Sequence, residues 1–185
     1  PEVPENLRPD QHSSDPGCLS NQALFELESS CISDDKEARE KGYEKAKKLL
    51  ALASALLPTD WYARGLYEGI CSLTPENAKA LVHADRISWE TWCQDYAAAE
   101  REYKSAIDIK SDLQLGYHNY AIAANAFGDS EAHHSALTKL LKINPTHVLG
   151  NYDMAIFYLS NGDEEKEVEH YFKALDGDSN HSQSL

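Results

Sequence analysis

The chain lacks any unbroken apolar run near the roughly 20 residues of a membrane span, or the shorter core of a signal peptide. Membrane insertion is therefore not expected. No Cys-x-x-Cys pair occurs and no two histidines stand at finger spacing, which excludes the common structural zinc patterns. A phosphate-cradling glycine loop, a defensible Ser-His-Asp order and paired carboxylates in an apolar setting are missing too, so no catalytic residue and no cofactor is expected. Basic charge is scarce: 17 lysines and arginines face 31 acids, for a formal net charge of −14. Without a basic stripe to meet phosphates, nucleic acid and anionic membrane are both disfavoured as partners.

The acidic charge is unevenly placed. Residues 1–40 hold ten acids and three bases, residues 160–185 hold seven and two, and the middle is nearly neutral. Such ends stay solvated and extended; the competing reading is that they capture a basic partner. Four cysteines, Cys18, Cys31, Cys71 and Cys93, fit free thiols in a reducing compartment and a cytoplasmic location. If the first two helices are antiparallel, Cys31 comes toward Cys71, and a bridge there implies export. Among eight histidines, His133 and His134 with Asp129 a turn earlier are the best metal candidates, because i and i+4 share a helical face. The competing reading of His133 is a buried ring bonded to a backbone carbonyl.

What the chain does have is a period. Asp95, Asp129 and Asp163 stand 34 residues apart, and an apolar template recurs around each. Tyr103, Leu137 and Tyr171 repeat at that spacing, as do Ala106, Leu140 and Ala174, with Ile107, Leu141 and Leu175 beside them; these predict the buried face of one helix. Tyr117, Tyr120, Ala121 and Ala124 match Asn151, Met154, Ala155 and Tyr158 in the helix before it. Ala84, Ile87, Ser88 and Thr91 fit those places if the first copy has a turn one residue shorter. Gly128-Asp129 and Gly162-Asp163 then fall between helices, glycine taking a positive φ and aspartate capping the next helix.

This pattern resembles the tetratricopeptide repeat, best in Gln114 to His147, where Tyr117, Tyr120-Ala121, Ala124, Gly128-Asp129 and Pro145 are all in family register. It departs at His133 and Glu167, which stand where the family has a small alanine. Pro75 read as a closing proline adds a degenerate pair, with Ala63, Tyr67 and Ile70 as its core, Lys45 to Leu57 as its first helix, and Pro58-Thr59-Asp60 as punctuation. The Gly65-x-x-x-Gly69 spacing reads as close helix packing. The resemblance implies an all-α fold, an α-solenoid of antiparallel helix pairs in a right-handed superhelix, with pairs at about 35–75, 78–111, 114–147 and 148–175.

It also implies a concave ligand face lined by the first helix of each pair: Asp85, Ser88 and Trp92, then His118, Asn119, Ile122 and Asn125, then Tyr152, Asp153 and Ile156. Asn119 matches the asparagine with which family members fix a peptide backbone or carboxylate. The lysines and arginine that clamp acidic chaperone tails are replaced by Ala84, Ser88, Leu115, Leu149 and Asp153, so the expected partner is a neutral or basic peptide or protein segment. Residues 1–34 read as acidic, Pro/Ser-rich linker, with Ala23, Leu24, Phe25 and Leu27 forming a short helix capped by Ser20 or Asn21. Residues 176–185 read as a polar tail that leaves the last repeat uncapped. The expected function is an interaction scaffold; the alternatives are self-association through that uncapped end, and a metal or enzyme domain using His133 and His134.

Overall fold

The computed structural model describes residues 15–182. Among them nine helices follow one another without a strand: α1 (Pro16–Cys31), α2 (Lys36–Leu56), α3 (Trp61–Cys71), α4 (Lys79–Trp92), α5 (Tyr96–Ile109), α6 (Gln114–Ala126), α7 (Ser130–Ile143), α8 (Val148–Ser160) and α9 (Glu164–Ser182). The fold is all-α and built from consecutive helix pairs. No described helix is long and apolar enough to cross a membrane.

Aspartates open most of these helices, because a carboxylate one residue ahead can accept an otherwise unpaired N–H of the first turn. Asp15 accepts from the Cys18 N–H at 2.8 Å, Asp35 from Glu37 at 3.0 Å and Asp60 from Tyr62 at 3.0 Å. The three aspartates of the 34-residue period do the same one repeat after another: Asp95 to Ala98 at 2.9 Å, Asp129 to Ala132 at 2.9 Å, Asp163 to Lys166 at 3.2 Å.

The turns before them are identical in their bonding. In each, the aspartate N–H reaches back five residues, to the carbonyl of Glu90, Ala124 or Tyr158, and the preceding N–H reaches back three, to Thr91, Asn125 or Leu159. This closure requires a left-handed residue just before the aspartate. Gly128 (φ 76°) and Gly162 (φ 74°) supply it as expected, and Gln94 (φ 64°) takes the same place in the first copy. The first turn is therefore not one residue shorter. The strict 34-residue register aligns Ile87 with Ala121 and Ala155, all fully buried, while Ser88 faces solvent with Ile122 and Ile156.

Two compact units divide the described residues, one running to Asp85 with Lys104–Leu115, the other Arg86–Tyr103 with the chain from Gly116 on. In the first, Leu27, Leu50, Leu66, Ile70, Leu81 and Leu113 are fully buried. The Tyr43 hydroxyl on α2 lies 3.1 and 2.9 Å from the carbonyls of Ile70 and Leu73, tying α2 to the end of α3. Gly69 packs against Leu81, whose Cδ1 stands 2.7 Å from where a Cβ would be, so the glycine pair in α3 serves packing.

In the second unit, Tyr103 of α5 stacks on Tyr120 of α6 at 4.1 Å between centroids, and Tyr96 stacks on Phe127 at 5.1 Å; early residues meet late ones, which is the antiparallel order. Leu137, Leu140, Met154 and Ala155 bury the facing sides of α7 and α8. Asn151 is wholly buried yet satisfied: its amide donates to the carbonyls of Pro145 and His147, and its oxygen lies 2.9 Å from His170 Nδ1 on α9.

Several boundaries differ from the sequence reading. Within residues 1–34, α1 is a four-turn helix capped by Asp15 rather than by Ser20 or Asn21. Leu19, Ala23, Leu24 and Leu27 are buried, and Phe25 is exposed. Residues 1–14 lie outside the described ones. α2 begins nine residues before Lys45, and in α3 Leu66 rather than Tyr67 joins Ala63 and Ile70 as fully buried. α9 runs past Leu175 into the expected tail, where buried Gly177 lets it approach Thr146, whose carbonyl stands 2.5 Å from a would-be Cβ. Leu175, expected in the core, is 65% exposed.

Candidate functional site

A cleft of about 330 Å³ opens in the second unit between the outward edges of α6 and α8 and the start of α7. Ile122 and Asn125 come from α6, Ser130 and His133 from α7, Asp153, Ile156, Phe157 and Ser160 from α8, and Asn161 from the turn after it. The repeat explains the apolar rims. Ile122 and Ile156 occupy one register position, and because their helix faces solvent there they remain 47% and 38% exposed.

Four of the ten expected site residues, Ile122, Asn125, Asp153 and Ile156, line this cleft. His118 and Asn119 are both buried and do not line it. His118 stands on the same helical stripe as Ile122 and Asn125, one turn earlier, and is buried there. His118 reaches α8 instead, with Nε2 3.1 Å from Asp153 Oδ2. Since a carboxylate can only accept, that nitrogen carries the proton. Tyr152 is half exposed and meets Tyr171 edge-on at 6.0 Å, away from the lining. Ser88 and Trp92 are exposed on α4; Trp92, at 74%, pairs with Trp89 at 5.3 Å. Asp85 belongs to the other unit, where its carboxylate accepts the Tyr62 hydroxyl. Burial first and Asp85 second push that phenol well above the usual tyrosine range.

His133 was the departure from the repeat pattern, and it sits in the cleft wall with Nδ1 2.8 Å from the Ala121 carbonyl. The carbonyl-bonded reading of this ring is the observed one. The metal grouping is not formed: Asp129 caps α7 and accepts the Tyr96 hydroxyl at 3.0 Å, and His134 stacks on Phe157 at 4.7 Å. Among the described residues no three His, Cys, Asp or Glu side chains are grouped to hold a metal ion. All four cysteines are free, so Cys31 and Cys71 are not bridged.

Beside the cleft, His147 caps α8 by accepting the Gly150 N–H on Nδ1 at 2.9 Å, which an imidazolium cannot do. Burial, with the nearby His118 ring 5.5 Å away, lowers its pKa to about 4 against a smaller opposing pull from Asp153. The ring is therefore neutral at physiological pH.

Ser130, His133, Phe157, Ser160 and Asn161 complete the lining: Ser130 and His133 stand on the second helix, Phe157 and Ser160 in the last turn of α8, and Asn161 in the turn after it. Comparison with protein-family models and with curated protein sequences finds no match.

Proposed function

We propose that this chain is a tetratricopeptide-like interaction scaffold, without chemistry of its own, that holds a neutral or basic peptide segment in the cleft between α6 and α8. The observation that carries this reading is the pair Ile122 and Ile156. Two exposed isoleucines at one register position flank a cleft whose other walls are two amides, two hydroxyls, one carboxylate and the rings of His133 and Phe157. Apolar rims supply contact area, and Asn125 and Asn161 offer both donors and acceptors to a peptide backbone. The lining holds Asp153 and neither lysine nor arginine, which favours a segment without net negative charge.

Panning a random peptide display library against the chain, followed by methyl NMR of Ile122 and Ile156 with a selected peptide, tests the reading. Selected peptides are expected to be neutral or basic, to shift both methyl resonances, and to bind roughly tenfold more weakly to Ile122→Ala/Ile156→Ala. Selection of acidic peptides, or shifts confined to other methyls, refutes it.

A further inference from the structure

The last helix carries an apolar face that nothing in the described chain covers. Val168, Phe172 and Leu175 stand at i, i+4 and i+7 on α9 and are 50%, 62% and 65% exposed. The repeat shows what such a face does. At the 34-residue spacing Val168 and Leu175 correspond to His134 and Leu141 of α7, the side chains that meet α8. His134 stacks on Phe157, and Leu141 Cδ2 lies 3.3 Å from the place a Cβ on Gly150 would occupy. In α7 the two ends of this face, His134 and Leu141, are half-buried against α8 while Thr138, the counterpart of Phe172, is exposed; in α9 all three positions are exposed.

Charge decides which helix. At 100° per residue, Glu164 and Glu165 flank the stripe, and both are exposed. The lysines of α9 turn elsewhere: Lys166 pairs with Asp163 at 2.8 Å and lies over the Tyr158 ring, and Lys173 pairs with Glu169 at 2.6 Å. A second copy docking face to face would set these acids against acids. We propose that the outer face of α9 docks a basic amphipathic helix of a partner protein, with apolar residues at i, i+3 or i+4, and i+7 over the stripe, and lysines or arginines opposite the flanking carboxylates. This surface is separate from the α6–α8 cleft.

The test uses the full chain titrated into a labelled synthetic amphipathic peptide with leucines at those spacings and lysines at the flanks, read by fluorescence anisotropy. A matched peptide carries glutamates in place of the lysines. The basic peptide is expected to bind at least about tenfold more tightly than the acidic one. Phe172→Ala/Leu175→Ala is expected to weaken it by about tenfold with unchanged circular dichroism, and Ile122→Ala/Ile156→Ala to leave it unaltered. Equal binding of the two peptides, binding of neither, or indifference to Phe172→Ala/Leu175→Ala overturns the proposal. So does sedimentation showing a dimer that those same substitutions dissociate, since a second copy would then be the occupant.

Discussion

His147 does two jobs that pull against protonation: it caps α8 with an unprotonated nitrogen, and it is buried where charge is costly. Its ordinary pKa of 6.5 applies to the unfolded chain and about 4 to the folded one, so the unfolded state binds more protons between these values. Stability is then complete above pH 6.5 and is lost as pH falls toward 4, by on the order of 3 kcal/mol from this ring. His170, also lowered by burial, acts in the same direction. Urea denaturation at stepped pH checks this, with His147→Asn as the control: asparagine can still cap, cannot titrate, and is expected to flatten most of the slope above pH 5. The sequence placed the start of the fourth pair at residue 148 but did not show that His147 caps it, because histidine is not a usual cap and its burial is tertiary.

At the level of the element, the three repeated turns isolate one residue. Gln94 holds a left-handed backbone that glycine adopts freely at Gly128 and Gly162. Gln94→Gly is expected to stabilise the protein by about 1 kcal/mol, read as a higher urea midpoint at unchanged slope. Gly128→Ala tests the reverse without steric confusion, since nothing lies within 4 Å of its would-be Cβ. The same residue explains a misreading: with glutamine in place of glycine, the first turn shows no punctuation and the register slips by one. Helices with strong apolar period were legible, and those held by tertiary contact were not. Pro16-Gly17 looks like linker, but Asp15 caps a helix through them; Asp176-Gly177 looks like a tail, but Gly177 seats α9 against Thr146.

The cleft was legible by the same division. Ile122 and Ile156 follow from the period alone, whereas burial of His118 and Asn119 depends on what covers α6, and the α7 and turn residues of the lining follow from how neighbouring pairs meet.

For the molecule as a whole, a net charge of −14 leaves acids in excess of any pairing available to them. The exposed ion pairs, such as Lys36–Glu40 at 3.6 Å and Lys173–Glu169 at 2.6 Å, contribute about 0–1 kcal/mol each and weaken with salt. Repulsion among the excess acids is the larger effect, so added sodium chloride is expected to raise stability by on the order of 1 kcal/mol, checked by thermal unfolding across a salt series. A falling midpoint would mean that the pairs outweigh the repulsion.

The exposed Trp89–Trp92 pair makes the protein optically inside out. Trp61, the remaining tryptophan, is 38% exposed, while the deeply placed aromatic residues are tyrosines such as Tyr43, Tyr103, Tyr117 and Tyr120. Indole emission here reports the surface of α4 and the start of α3 and changes little on unfolding. A partner that covers α4 would therefore announce itself as a blue shift against an otherwise quiet spectrum.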